Sequence, residues 1–174
     1  CLYPSLCKNM NNDHRPLLNL YKKVRALPYI KKAFIGSGVR YDLFDKSEYF
    51  ETLVLHHVSG RLKVAPEHCS ESVLKAMRKM SFDQFINIKK RFEIINSKYG
   101  LKQQLIPYFI SSHPVCTLKD MALLASKTAE LGYKLEQVQD FTPTPMTIST
   151  EMYYTGYDPS TLKRIFVERN PEAK

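Results

Sequence analysis

A repeated unit of amphipathic helix, glycine and short apolar strand constrains the fold of this chain more than any other feature. Helices with one apolar face are predicted at residues 47–58, 81–99 and 117–131, each closed by a glycine. Short apolar strands are predicted at residues 33–36, 61–66, 104–110 and 135–139. Strands that alternate with helices of this length pair in parallel through right-handed crossovers. The sequence therefore predicts an α/β fold with about four parallel strands, as an open parallel sheet or a partial (β/α) barrel.

The segments on either side of this pattern are less regular. Residues 1–14 are polar and are predicted to form a loop, and a helix at Pro16–Leu27 opens the α/β body, which covers residues 15–141. Residues 142–174 are rich in Pro, Thr and Tyr and are predicted to be a C-terminal extension. A short edge strand is predicted within it at Leu162–Glu168. One folded domain with two flanking segments is therefore expected.

Composition narrows the class of protein without naming an activity. Hydrophobic residues make up 44% and charged residues 25%, a balance typical of globular proteins. No apolar run approaches the roughly 18 residues that span a bilayer, so no membrane partner is expected. The four cysteines form no CxxC pair and no secretory signal opens the chain, which favours reduced thiols in the cytoplasm. The net charge of +9 leaves nucleic-acid binding open, although a soluble, lysine-rich surface is the favoured explanation.

Candidate site residues lie in the loops that follow the predicted strands, because parallel α/β proteins bind ligands at the carboxyl ends of their strands. In the first loop, Ser37 lies between two glycines and Arg40 offers a fork for a carboxylate or phosphate, or pairs with Asp42. In the second loop, Glu67 precedes His68. This pair is suited to ribose hydroxyls or to proton transfer, or else Glu67 simply favours the start of a helix.

The remaining two loops add polar and aromatic candidates. Ser111 and His113 follow the third predicted strand and either face a pocket or cap the next helix. Gln139 ends the fourth strand on a polar face that would point into a barrel, and Phe141 could stack on a base or pack in the core. Four loops at one edge of a sheet predict a single shared site.

Four blocks of sequence carry a resemblance to a known family. They are Ser37–Asp42, Leu62–His68, Leu105–Pro114 and Tyr153–Gly156. In order and spacing they resemble the YgiQ-type family of radical S-adenosylmethionine (radical SAM) proteins over nearly the whole chain. The chain departs from the family pattern at Met80, where Pro is usual, and at Val115, where Gly is usual. Both departures concern loop geometry at the start of a helix.

The resemblance implies that the chain supplies the later strands of a radical SAM barrel and lacks the first two. In this family a CxxxCxxC motif on the first loop holds a [4Fe–4S] cluster, and S-adenosylmethionine binds that cluster. Reductive cleavage then gives a 5′-deoxyadenosyl radical that removes a hydrogen atom from the substrate, which is unknown here. No CxxxCxxC is present in this sequence. The chain is therefore expected to be a fragment of an enzyme, inactive by itself and without bound cluster or S-adenosylmethionine.

Carried over by position, the resemblance assigns S-adenosylmethionine contacts to the strand ends. These residues are Ser37, Arg40, Glu67, Ser111, His113, Gln139 and Phe141. Cys1 and Cys7 resemble the end of a cysteine-containing insertion and are weak candidates for metal ligands, and the catalytic residues are unknown. A fragment without its first strands would expose a sheet edge, which favours a dimer.

Two alternatives of a different class remain open from the residues alone. The positive charge and the eleven tyrosines are compatible with a nucleic-acid-binding module. Glu67, His68 and His113 are compatible with a small, complete α/β enzyme that works without a metal.

Overall fold

The structure is a computed structural model of the whole chain, and it describes residues 3, 5–43, 48–133, 137–170 and 172. Three strands form one open parallel sheet in the order β1–β2–β3. The strands are β1 (Arg61–Glu67), β2 (Gln104–Ser111) and β3 (Val138–Asp140). In the parallel pairing of β2 with β3, Phe109 lies opposite Val138 and Ser111 lies opposite Asp140. The predicted α/β class with crossover helices is confirmed.

Six helices accompany the sheet in the part of the chain that the structure describes. They are α1 (Arg15–Ala26), α2 (Tyr49–His57), α3 (Glu71–Ala76), α4 (Phe82–Tyr99), α5 (Leu118–Glu130) and α6 (Ile148–Thr155). The left-handed backbone at Gly100 and Gly132 ends α4 and α5, as the sequence predicts. No helix built from the described residues is long and apolar enough to span a bilayer.

The prediction of a strand at Ala33–Gly36 is wrong, because these residues do not form a regular strand. The backbone there makes a hydrogen bond from Ile35 N–H to the His57 carbonyl at 2.9 Å, and only Val39 pairs with β1, in a parallel bridge to Val64. A segment that contains Gly36 and Gly38 has too few side chains to maintain a ladder. The predicted strand at 135–139 is shorter, since β3 begins at Val138 and residues 134–136 lie outside the described part of the chain.

The C-terminal extension contains more structure than its composition predicts. Helix α6 begins at the Thr147 N-cap, whose hydroxyl accepts from the Thr150 N–H, and it ends at Gly156 in a left-handed conformation. The predicted edge strand at Leu162–Glu168 is wrong in extent, because it consists of one antiparallel bridge between Tyr157 and Arg164. Helix α3 was also not predicted, because six residues are too few to show a helical period.

The chain forms two compact units, each with its own buried residues. Unit 1 comprises residues 1–65 and 83–107, and its core is formed by Phe50, Leu53, Val54, Leu62, Val64, Phe85 and Phe92. His57 is buried there and its Nδ1 lies 2.7 Å from the Ala33 carbonyl, whereas His56 is exposed. Unit 2 comprises residues 66–82 and 108–174, and Val73, Leu74, Phe109, Leu124 and Met152 are buried in it.

Candidate functional site at the strand ends

The carboxyl ends of all three strands belong to unit 2, which places most of the predicted site residues in one compact unit. Strands β1 and β2 end in the same way. Glu67 and Ser112 each adopt a left-handed backbone, with φ of 66° and 56°, and each is followed by a buried histidine, His68 or His113. Non-glycine residues rarely adopt this conformation, and such strain concentrates at functional sites.

His68 is enclosed by hydrogen bonds that fix its tautomer. Its Nδ1 accepts from the Ser70 N–H at 2.9 Å, so the proton lies on Nε2, which is 3.6 Å from the Cys116 Sγ. Burial lowers the pKa of His68 from 6.5 to about 4, and the neighbouring Asp120 only partly offsets this effect. His68 is therefore neutral near pH 7, and its Nδ1 is engaged by the Ser70 N–H.

His113 is neutral and enclosed as well, but with the opposite tautomer. Its Nδ1 donates to the Pro114 carbonyl at 2.7 Å, and its Nε2 accepts from the Ser149 hydroxyl at 2.8 Å. Burial lowers the pKa of His113 to about 4. The ring of Phe141 meets His113 edge to face, with 5.0 Å between centroids, and Phe141 also lies 5.8 Å from the ring of Tyr153. His113 thus connects the end of β2 to the start of α6.

Ser111 and Gln139 lie on opposite faces of the sheet. The side chain of Ser111 is buried and donates to Asp140, its neighbour across the β2–β3 pairing. Gln139 is exposed and its Oε1 accepts from the Tyr108 hydroxyl at 3.2 Å, which leaves its amide nitrogen available. Gln139 is therefore better placed than Ser111 to meet a ligand from outside.

Glu67 is half-buried at the end of β1 and forms an ion pair with Lys79, with 2.9 Å between Oε1 and Nζ. No described residue forms a hydrogen bond or ion pair with its second carboxylate oxygen. Lys79 follows α3 in the chain, so the ion pair connects the end of β1 to the segment after that helix. The ion pair with Lys79 is a structural role that the sequence did not indicate, and the ligand role of Glu67 stays a prediction.

Ser37 and Arg40 belong to unit 1 and are described with it. Both residues are exposed, and Arg40 forms a bidentate pair with Asp42, with Nε–Oδ1 at 3.1 Å and Nη2–Oδ2 at 2.5 Å. The hydrogen bonds that Arg40 donates to the Asp42 carboxylate raise the pKa of Arg40. Of the two roles that the sequence allowed for Arg40, the structure therefore shows the local pair with Asp42.

Asp120 is a polar residue of this region that the sequence did not single out. It closes a capping box with Thr117 at the start of α5 and accepts from the Ser70 hydroxyl at 2.6 Å, which connects α5 to the loop after β1. Burial raises the pKa of Asp120, but hydrogen bonds from Ser70 and Thr117 outweigh it and hold this pKa below its ordinary value. The Thr-x-x-Asp spacing was the available signal in the sequence.

Replacing Asp120 with alanine is expected to lower the free energy of unfolding by about 1–2 kcal/mol, because the cap and the Ser70 contact are lost together. Lys119→Ala is the matched control, since Lys119 is exposed in the same helical turn and should change stability by less than about 0.5 kcal/mol. Urea unfolding at neutral pH measures both values. Equal effects of the two substitutions would contradict the role given to Asp120.

Val115 has a strained backbone conformation. Its φ is 72°, in the left-handed region that a β-branched residue seldom occupies, and its N–H donates to the Phe166 carbonyl at 2.8 Å. Glycine, which the resemblance leads us to expect at this position, adopts this conformation without a steric penalty.

The described cysteines are free thiols: Cys7, Cys69 and Cys116. Burial raises the pKa of both Cys69 and Cys116 to about 11, so both thiols stay protonated near pH 7. Within the described residues, no group of three or more His, Cys, Asp or Glu side chains could hold a metal ion. The candidate ligand Cys1 lies outside the described residues.

Comparisons with known proteins extend over the whole chain. A family model described as a domain of unknown function, DUF3362, matches residues 136–173. The chain is 57% identical to a UPF0313 protein of Porphyromonas gingivalis and 55% identical to one of Bacteroides thetaiotaomicron. It is 49% identical to a UPF0313 protein of the archaeon Methanocella arvoryzae. Each match covers all of this chain. It covers 29%, 30% and 29% of the three relatives, in the same order, so the chain spans less than a third of the length of these UPF0313 proteins.

Proposed function

We propose that the chain is the C-terminal part of a radical SAM barrel, and that its strand ends in unit 2 contact S-adenosylmethionine in the longer protein. One observation carries the proposal. Glu67 at the end of β1, with Gln139 and Phe141 at the end of β3, lies at the carboxyl ends of parallel strands, where parallel α/β sheets bind cofactors. Glu67 falls in one of the four sequence blocks that carry the resemblance to radical SAM proteins, and Gln139 and Phe141 are the positions that the resemblance assigns at the end of the last strand.

The described residues of this chain do not fit the iron–sulfur cluster itself. A [4Fe–4S] cluster requires a set of cysteine thiolates, and the described residues contain no group of three or more His, Cys, Asp or Glu side chains that could hold a metal ion. The cluster ligands belong, in this proposal, to the part of the longer protein that precedes residue 1.

The strand ends fit the organic cofactor in part. Gln139 has a free amide donor, Glu67 has a free carboxylate oxygen for hydroxyl groups, and the half-buried ring of Phe141 offers an apolar face for a base. Ser111 and His113 are occupied by Asp140, Pro114 and Ser149. We propose that these two residues hold the strand ends in position, while Glu67, Gln139 and Phe141 bind and orient the cofactor, which supplies the radical chemistry when bound.

The 174-residue chain alone is expected to bind no cluster and to cleave no S-adenosylmethionine after anaerobic reconstitution with iron and sulfide. The full-length UPF0313 protein of Porphyromonas gingivalis, treated in parallel, should gain iron, sulfide and visible absorbance and should release 5′-deoxyadenosine on reduction. Chromatography of 5′-deoxyadenosine measures both samples. Cleavage by the short chain, or a full-length relative that takes up no cluster, would overturn the proposal.

The role of the strand ends can be tested separately in a longer protein that contains this chain. Gln139→Leu should raise the KM for S-adenosylmethionine by about fivefold, since one hydrogen bond to the cofactor is lost. Gln137→Leu is the matched control on the same segment, two residues before Gln139 and half-buried, and should leave this KM unchanged. Equal effects would show that the end of β3 does not contact the cofactor.

A further inference from the structure

A small hairpin at the end of unit 2, which we call the C-terminal hairpin (residues 156–166), holds its side chains in a fixed arrangement. Tyr157 and Arg164 form its antiparallel bridge, and the Asp158 N–H donates to the Lys163 carbonyl at 2.9 Å. The Asp158 side chain accepts from the Ser160 N–H at 2.8 Å and closes the turn. The hairpin is therefore ordered by its own backbone, whatever its side chains bind.

Three side chains of the hairpin line one cavity. Residues that lie directly opposite in an antiparallel pair project to the same side, which places the ring of Tyr157 beside the guanidinium of Arg164. Phe166 follows Arg164 two residues later and lines the same cavity. Tyr157 and Phe166 are each 48% exposed, and both line a cavity of about 880 Å³ together with Arg164 and Arg169. This volume lies within the range of small-molecule sites.

The charge of this cavity is positive. Its lining contains Arg164 and Arg169 and no carboxylate. Arg169 is fixed at the end of α6, because its Nη2 donates to the Tyr153 and Tyr154 carbonyls at 2.8 and 3.0 Å. The guanidinium of Arg164 has no hydrogen bond or ion pair with any residue that the structure describes. A guanidinium without a described partner, in a cavity that two exposed aromatic rings also line, is suited to an anion that carries a planar group.

We propose that this cavity binds a nucleotide unit, with the phosphate on Arg164 and the base against Tyr157 and Phe166. A guanidinium matches two phosphate oxygens at once, and aromatic faces accept any base. The same chemistry occurs in a free nucleotide and in a single-stranded nucleic acid. None of the strand-end residues lines this cavity, so the proposal stands independently of the radical SAM assignment.

The test uses fluorescence anisotropy of the intact chain with a labelled single-stranded oligoadenylate RNA. Arg164→Gln should weaken binding about tenfold and reduce the slope of log affinity against log salt by about one. Arg78→Gln is the matched control, because Arg78 is exposed in the same unit and outside the cavity. Tyr157→Leu should also weaken binding about tenfold through the loss of stacking. Thermal unfolding checks that each variant folds. If Arg164→Gln does not fold, the affinity of Tyr157→Leu for the RNA still tests the proposal.

Competition distinguishes the source of the nucleotide. Displacement of the RNA by AMP would assign the cavity to a free nucleotide, whereas RNA binding that resists AMP but depends on Arg164 would assign it to a nucleic-acid strand. If inorganic phosphate displaces the RNA at the same concentration as AMP does, the base has no role in binding. Equal RNA affinity in the wild type, Arg164→Gln and Arg78→Gln would reduce binding to general electrostatics and overturn the proposal.

Discussion

Lowering the pH from 6.5 to 4 is expected to reduce the free energy of unfolding steeply, because two buried histidines resist protonation in the folded chain. Burial lowers the pKa of His68 and of His113 from 6.5 to about 4. Between these values the unfolded chain binds more protons than the folded chain. Stability is therefore complete above pH 6.5 and is lost as the pH falls through the window. The combined loss is on the order of 5 kcal/mol, at about 1.4 kcal/mol per pH unit for each histidine.

Denaturant unfolding at a series of pH values measures this loss. His68→Gln and His113→Gln should each flatten the dependence, even where they lower stability near pH 7 by breaking contacts to Ser70 or Ser149. His56→Gln is the control: burial lowers the pKa of His56 too, but its side chain is exposed on α2, so the substitution should change the slope less than either of the other two. A free energy of unfolding that stays constant between pH 6.5 and 4 would show that neither histidine is buried as described.

Replacing Phe109 with alanine is expected to lower the free energy of unfolding by about 3–5 kcal/mol, because a fully buried ring leaves a cavity in the core of unit 2. In β2 the odd-numbered residues are buried, while the even-numbered residues remain partly exposed. Phe109 lies on the buried face of the strand. The substitution therefore tests which face of the sheet is covered, and this face decides where a ligand can approach.

Tyr108→Ala is the matched control for Phe109→Ala, since it removes a neighbouring ring from the opposite, partly exposed face. We expect it to lower the free energy of unfolding by about 1 kcal/mol, largely because the hydroxyl contact with Gln139 is lost. Thermal and urea unfolding measure both variants. A larger cost for Tyr108→Ala than for Phe109→Ala would reverse the assignment of the two faces.

The main elements of the fold could be predicted because their signals are local. Gly100 and Gly132 end helices in the left-handed conformation that the sequence indicated, and Thr117 caps α5 as expected. The predicted strand at Ala33–Gly36 was wrong, since apolar residues alone do not show whether a partner strand is available for a full ladder. Helices α3 and α6 were missed because each is too short for a period to stand out against the background.

The candidate site was predictable in position but not in the orientation of its side chains. The rule that ligands bind at strand ends led to Glu67, Ser111, His113 and Gln139, and these residues do occur together in unit 2. The sequence could not show that Ser111 is turned to the buried face, or that His113 uses both ring nitrogens within the protein. Those facts depend on strand register and on α6, which no local pattern encodes.

The strand-end site and the cavity of the C-terminal hairpin differ in how many of their binding residues lie in this chain. The strand ends of β1, β2 and β3 would complete a cofactor site only together with cluster ligands from a longer chain. The cavity of the C-terminal hairpin contains its cation and both of its aromatic rings in residues 156–169. Its region overlaps residues 136–173, where the domain of unknown function DUF3362 matches. Nucleotide binding there would give that segment a role of its own.

Sequencing the coding region upstream of Cys1 distinguishes a radical SAM fragment from the alternatives. We expect an open reading frame that continues upstream and encodes a CxxxCxxC motif, followed by two strand–helix units before residue 1. An upstream frame that encodes no such cysteine triad, or that begins immediately before Cys1, would contradict it.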